Sequence, residues 1–196
     1  MNEVTTDRLR LRPLGVEDLD EYAGIMAEPE VGKWFPKGAG YTRKDSEKSL
    51  NSITQHWAKY GFGIWAVRRR DSPTLLGRCG LNVVAEIGEV EVDFAFSKAF
   101  WGRGYGMESA RAALSYGFQT LSREMIIGLA KPDNTASRRV LEKIGMRLVG
   151  NVQLWGMDCT YYTISDSEFL RLVSARRNRN TTRVAPTLLN HRGSMD

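Results

Sequence analysis

The chain has 196 residues, 42% hydrophobic and 26% charged, which suits one globular domain with a real core and excludes a disordered or fibrous chain. Its longest apolar runs, GIWAV (63–67) and MIIGLA (125–130), are far too short to span a membrane, and the charged start MNEVTTDRLR has no secretory apolar stretch. The formal charge is +5, but the excess sits wholly in the arginine-rich segment 171–196, and the preceding residues balance.

Taken in chain order, LRLRPL (9–14) alternates like a half-buried strand. VEDLDEYAGIMAEPE (16–30) places Leu19, Tyr22, Ala23 and Met26 on one helical face, with Pro29 marking its end. The glycine-rich loop VGKWFPKGAGY (31–41) precedes a second helix, TRKDSEKSLNSITQHWAKY (42–60), opened by a Thr42/Asp45 capping pair. GIWAVRRR (63–70) and LLGRCGLNVV (75–84) form a hairpin around DSPT, and EVEVDFAF (89–96) is a fourth strand. After WGRGYG (101–106) comes a helix with Ala110, Ala113, Leu114 and Phe118 at helical spacing. EMIIGLA (124–130) is a buried fifth strand. PDNTASRRVLEKIG (132–145) is a helix with Val140, Leu141 and Ile144 inward and Gly145 at a left-handed cap. MRLVGNVQLW and DCTYYTI close as a strand pair.

These elements make one α/β domain of the α+β type over residues 1–170, a mixed, mostly antiparallel sheet of six to seven strands with about four flanking helices. The strand–helix–strand unit at 89–130 requires one parallel pair, strands four and five. Residues 171–196 read as a basic, disordered tail; the alternative is an arm for nucleic acid or the ribosome, although interleaved aromatics are missing. Cys79 and Cys159 fit no zinc or redox spacing and read as buried thiols of a cytoplasmic protein. His56 and His191 lack partners for a metal or a Ser-His pair, so no metal site is expected.

Three glycines in WGRGYG weaken regular structure, and a strand–loop–helix setting is where backbone amides meet phosphate. A dinucleotide fingerprint fails, because its third glycine falls one residue early and position 107 is Met; no G-K-[ST] follows either. On spacing alone, a phosphate cradle and a structural turn remain open. FSKAFWGRGYG (96–106) resembles the acetyl-CoA pyrophosphate loop of the GNAT N-acetyltransferase superfamily, usually [QR]-x-x-G-x-[GA]. It is most similar to the ribosomal-protein N-acetyltransferase-like branch, where tryptophan takes the [QR] place, as Trp101 does here. TDRLRLRPL (6–14), LLGRCGL (75–81) and PDNTASRRVLEKIGMRLVG (132–150) extend the resemblance over about residues 6–165 in the same order.

The resemblance implies a GNAT fold and an acetyl-CoA-dependent N-acetyltransferase that transfers acetyl directly to an amine, without a covalent enzyme intermediate. It places Trp101, Gly102, Arg103, Gly104, Tyr105 and Gly106 around the cofactor pyrophosphate. The strand ending at Phe96 lies along the pantetheine arm, with the Phe96 N–H facing the thioester oxygen. Asn134 and Ser137 lie three apart on one helical face; Asn134 is read either as a helix cap or as a cofactor contact. By resemblance Asn134 holds the pantetheine arm and Ser137 is a candidate acid, since Leu141 stands where many members carry a tyrosine. Glu91 matches a position often used as base through a water; Glu89 and Asp93 share its face, and a plain solvated or arginine-paired cluster is the alternative. Arg138 and Arg139 are candidates for the cofactor's 3′-phosphate, and Trp34, Phe35 and Tyr41 for the acceptor. The acceptor is a protein N-terminal amine or a small-molecule amine, and the protein a monomer or homodimer. The rival readings are a non-catalytic acyl-CoA sensor and a ribosome- or nucleic-acid-associated protein acting through its tail.

Overall fold

A computed structural model describes residues 3–182. Eight strands form one sheet in the order β1-β2-β3-β4-β5-β6-β8-β7. They are β1 (Val4–Thr5), β2 (Leu9–Pro13), β3 (Ile64–Arg69), β4 (Leu75–Val84), β5 (Glu89–Phe96), β6 (Met125–Ala130), β7 (Arg147–Leu154) and β8 (Met157–Ser165). The helices are α1 (Leu19–Ala27), α2 (Pro29–Gly32), α3 (Arg43–Tyr60), α4 (Tyr105–Gln119), α5 (Thr135–Ile144) and α6 (Asp166–Thr182). The expected mixed sheet and its single parallel pair are present, the pair now being β5–β6.

Period-two alternation sorts the sheet's side chains onto two faces. Leu9, Leu11, Trp65, Val67, Val92 and Phe96 pack with Ala110, Ala113, Leu114 and Phe118 of α4 and Leu141 and Ile144 of α5. Leu14, Ile64, Ala66, Leu75 and Ala95 pack on the other face with α1 to α3, through Tyr22, Ile25, Met26, Val31 and Leu50. β3 is covered on both faces, so IWAVR is buried in succession rather than alternately. The Thr42/Asp45 capping box and the left-handed Gly145 cap, φ 105°, form as the sequence predicts.

Three expectations change. The eighth strand, β1, has two residues and is too short to carry a periodic signal. Pro29 opens the short helix α2 rather than ending a segment, because the first helical position needs no N–H. The helix α6 runs through the expected boundary at 170 to Thr182, so residues 171–182 are not irregular. Phe169 anchors it by stacking 5.2 Å from Phe118, a tertiary contact that a run of arginines hides from sequence periodicity. The rest of the expected tail, 183–196, lies outside the described residues. No helix among the described residues is long and apolar enough to cross a membrane.

The feature that positions the site is the β5–β6 junction. Their parallel ladder registers at one pair, Glu91 with Ile127. Beyond it β5 continues to Phe96 beside β4 alone, and β6 to Ala130 beside β8 alone. The two strands part there, and a cleft opens between their ends.

Candidate active site

A cleft of about 700 Å³ fills the gap. One wall is the end of β5 and the loop into α4. After a short turn at Lys98–Phe100, Gly102 and Gly104 take φ of 74° and 79°, the left-handed region where only glycine sits without strain. These turns aim the backbone into the cleft at the head of α4. The N–H groups from Gly102 to Met107 have no acceptor among the described residues; the next, Glu108, closes on Gly104. A row of unpaired amides at the positive end of a 15-residue helix is an anion cradle.

The cradle is braced from the N-terminal strands. Arg8 donates to the Arg103 carbonyl at 3.1 Å, pairs with Glu108 at 2.6 Å and lies 4.8 Å over the Tyr105 ring. Glu108 also accepts from the Thr6 hydroxyl at 2.6 Å and the Arg8 N–H at 3.0 Å, which hold its carboxyl below the ordinary range. The only forward signal of this brace was the position of Thr6 and Arg8 in the TDRLRLRPL motif. The Tyr105 side chain is buried in the core, leaving its N–H for the cleft. Arg103 does not line the cleft; its guanidinium lies over Phe100 at 5.8 Å.

Trp101, 43% exposed, donates its indole N–H to the Phe96 carbonyl at 2.7 Å. The Ser97 N–H meanwhile bonds Leu76 of β4 at 3.0 Å. Across a trans peptide these two groups point opposite ways, so the Phe96 carbonyl, and with it the Phe96 N–H, faces the open edge of β5. Thus Trp101 locks the strand end that the cleft exposes.

The facing wall is the start of α5. Asn134 caps it, its Oδ1 accepting the Ser137 N–H at 3.1 Å, so the capping reading is realised. Asn134, Ser137 and Arg139 all line the cleft. Among the described residues, the Ser137 hydroxyl has no hydrogen-bond partner and the exposed Arg139 has no ion pair. Arg138 turns away, donating to the Tyr162 hydroxyl and the Pro132 carbonyl at 3.1 Å each.

At the floor, where the strands part, lies Glu91, 8% exposed. Burial, then the charge of Asp93, raise its carboxyl well above the ordinary range; Arg78 and the Leu129 N–H oppose this less strongly. Its neighbours on the strand face are paired, Asp93 with Arg78 at 2.6 Å and Glu89 with the Tyr161 hydroxyl. The three acids are therefore not a solvated cluster, and of them Asp93 is paired with an arginine, as the alternative reading expected. Trp34 and Phe35, two of the three candidates for the acceptor, line the cleft, with Lys131 donating to the Lys33 carbonyl at 2.9 Å. Tyr41 does not line it; it stands edge-on to Phe35 and faces a second cavity.

Cys159 also borders the cleft, which sequence spacing gave no reason to expect. Burial raises its thiol, and pushes that of Cys79 up to about 12, so neither is an activated nucleophile. His56 is structural: Nε2 accepts the Val83 N–H and Nδ1 donates to the Phe62 carbonyl. No group of metal-ligating side chains occurs among the described residues.

An amide cradle, an open strand edge and a buried carboxyl on one cleft make a site for a long anionic ligand whose far end meets a proton acceptor. A family model for the acetyltransferase (GNAT) domain matches residues 8–147, and the chain belongs to that family. It is 30% identical over 164 residues to the Bacillus subtilis protein YkkB, covering 82% of this chain and 94% of that one. It is 29% identical over 154 residues to the FsC-acetyl coenzyme A-N(2)-transacetylase of Aspergillus fumigatus, covering 72% and 63%. A crystal structure of a GNAT-family acetyltransferase from Bacillus anthracis superposes with a TM-score of 0.72 at 26% identity, over 84% of this chain and 99% of that one.

Proposed function

We propose that this acetyltransferase moves the acetyl group of acetyl-CoA directly to a primary amine, and that residues 1–170 hold the whole active site. The observation that carries this reading is the row of unpaired N–H groups from Gly102 to Met107 opening on the same cleft as the free edge of β5 and Glu91. The tryptophan-type loop supports the ribosomal-protein-like branch and hence a protein N-terminal amine; a small-molecule amine fits the same chemistry.

Acetyl-CoA supplies an acetyl group activated as a thioester. In this reading the amides of Gly102 to Met107 hold its pyrophosphate, and Arg139 takes the 3′-phosphate. The free edge of β5 pairs with the pantetheine arm as an added strand, and Asn134 borders the arm from α5. The Phe96 N–H stabilises the carbonyl oxygen as negative charge grows on it, an effect worth about 2.7–4 kcal/mol when preorganised. The amine's lone pair forms the new C–N bond and the C–S bond breaks. Glu91 accepts the proton lost by nitrogen, directly or through a water, and its raised pKa makes it a stronger base than an ordinary carboxylate. Ser137 stands by the departing sulfur as proton donor. A thiol with a pKa near 8.5 leaves tolerably as thiolate, so Ser137→Ala should lower kcat by only about 10- to 100-fold. Unchanged protection of the protein by coenzyme A would show that the loss is chemical.

The test is thiol release from acetyl-CoA over a panel of amines, with the amide product counted by mass. One amide per thiol is expected. Thermal protection by coenzyme A without turnover on any amine would instead establish an acyl-CoA sensor, and no protection at all would remove the cofactor assignment.

A further inference from the structure

Two arginines of the sheet are almost fully buried, and they are used differently. Arg68 on β3 donates to Asp18 and Glu21 at 2.7 Å each and to the Pro73 carbonyl, and no enclosed nitrogen of it lacks a partner. Arg78 on β4, 6% exposed, makes a single hydrogen bond, from Nη1 to Asp93 at 2.6 Å. Its Nε is enclosed with no partner, and Nη2 has none among the described residues. A guanidinium carries five N–H donors in a planar fork, and leaving them unmade in a buried site is unfavourable. Of these two buried sheet arginines, only Arg78 leaves an enclosed nitrogen without a partner among the described residues.

Arg78 is also where two cavities meet. With Asn82 and Asp93 it borders both the active-site cleft and a second cavity of about 680 Å³ against α3. Lys37 and Lys48 line that second cavity; Lys37 pairs with Asp45, whereas Lys48 has no ion pair among the described residues. Once Arg78–Asp93 and Lys37–Asp45 are set against each other, the cavity keeps a positive charge. The Phe35 ring covers the Arg78 guanidinium at 5.1 Å, so the fork sits in a partly desolvated corner where a planar anion binds well. The partner of Arg78, Asp93, lies two strand residues from Glu91 on the same face, a step of roughly 7 Å. Arg78 and Glu91 both border the active-site cleft, so one small molecule carrying an amine and a carboxylate can meet both.

We propose that the acceptor is an amine that also carries a carboxylate, gripped by the free donors of Arg78 while its nitrogen lies toward Glu91 and the end of β5. This deepens the acetyl-transfer reading and rests on it. A free amino acid and a peptide with an acidic residue at its amino end share this chemistry, so both enter the test.

The purified full chain is assayed for thiol release with free amino acids, the same compounds as carboxamides, spermidine, and short peptides with an acidic or a basic N-terminal residue. The acids should be preferred over their carboxamides by at least tenfold in kcat/KM. Turnover of the free acids assigns a small-molecule acceptor, and turnover of the acidic peptides alone assigns a peptide end; either supports the proposal. Arg78→Lys keeps a cation beside Asp93 but loses the fork. It should raise KM for the acid about tenfold or more, collapse the acid-to-carboxamide preference, and leave the KM for acetyl-CoA unchanged. Equal use of acids, carboxamides and spermidine, or an Arg78→Lys loss that falls equally on acid and carboxamide, overturns this proposal while leaving acetyl transfer standing. Turnover of none of the panel overturns both.

Discussion

Gly104→Ala is expected to remove most of the thermal protection given by coenzyme A and to raise the KM for acetyl-CoA by an order of magnitude or more. Gly104 holds φ 79° at the head of α4, and a side chain there carries a left-handed penalty of about 1–2 kcal/mol. The added carbon would also sit 3.4 Å from the Arg8 guanidinium that braces the loop. Relief comes from rotating the peptide units on either side, which turns the N–H groups of the cradle out of register. Gly106→Ala is the contrast. Gly106 is within the helix, and an added carbon meets only the Phe96 ring at an ordinary 3.7 Å. Its melting temperature should stay at or above that of the parent, since alanine favours a helix over glycine by about 1 kcal/mol. Full protection of Gly104→Ala by coenzyme A, measured by thermal shift, would dismiss the cradle as the pyrophosphate site.

Glu91→Gln is expected to lower kcat by about 10²- to 10⁴-fold, the range for loss of a positioned base. It should also erase the acidic limb of the pH–rate profile. That limb lies above 4.5, the ordinary value for this side chain, because burial and Asp93 raise the carboxyl in the folded protein. The same shift fixes the sign of a stability effect. A group whose pKa rises on folding favours the fold fully below its unfolded value, and the benefit is lost as pH climbs through the folded value. Ionised Glu91 therefore works against the fold at neutral pH. Glutamine, still able to accept the Leu129 N–H, escapes this, so the variant should melt higher than the parent at pH 7 and converge with it below about pH 4.5. A variant that retains the parent's pH–rate profile would exclude Glu91 as the base.

The order of elements was legible because each carries a local signature. Alternation marks LRLRPL and EVEVDFAF as strands, and the Thr42/Asp45 pair and Gly145 mark helix ends. WGRGYG was legible for a related reason: left-handed turns demand glycine wherever they occur, so the geometry of the cradle is written into residue types. Arg8 and Arg78 were not, since an arginine's role depends on what it meets across the fold. One meets Glu108, a hundred residues away, and the other a carboxylate on the next strand.

The sequence by itself determined the strand–helix order, the need for one parallel pair, the glycine turn before α4 and the helix ends at Thr42 and Gly145, because backbone preferences and side-chain periods act over a few residues. Only the tertiary structure decided that β5 and β6 part after one registered pair, since separation of two strands is a property of neither. It likewise decided that Glu91 is buried at that fork while Asp93 and Glu89 are paired, that Tyr41 faces a second cavity, and that α6 continues past residue 170. Burial and long-range pairing set these outcomes, and both depend on which distant residues the sheet brings together.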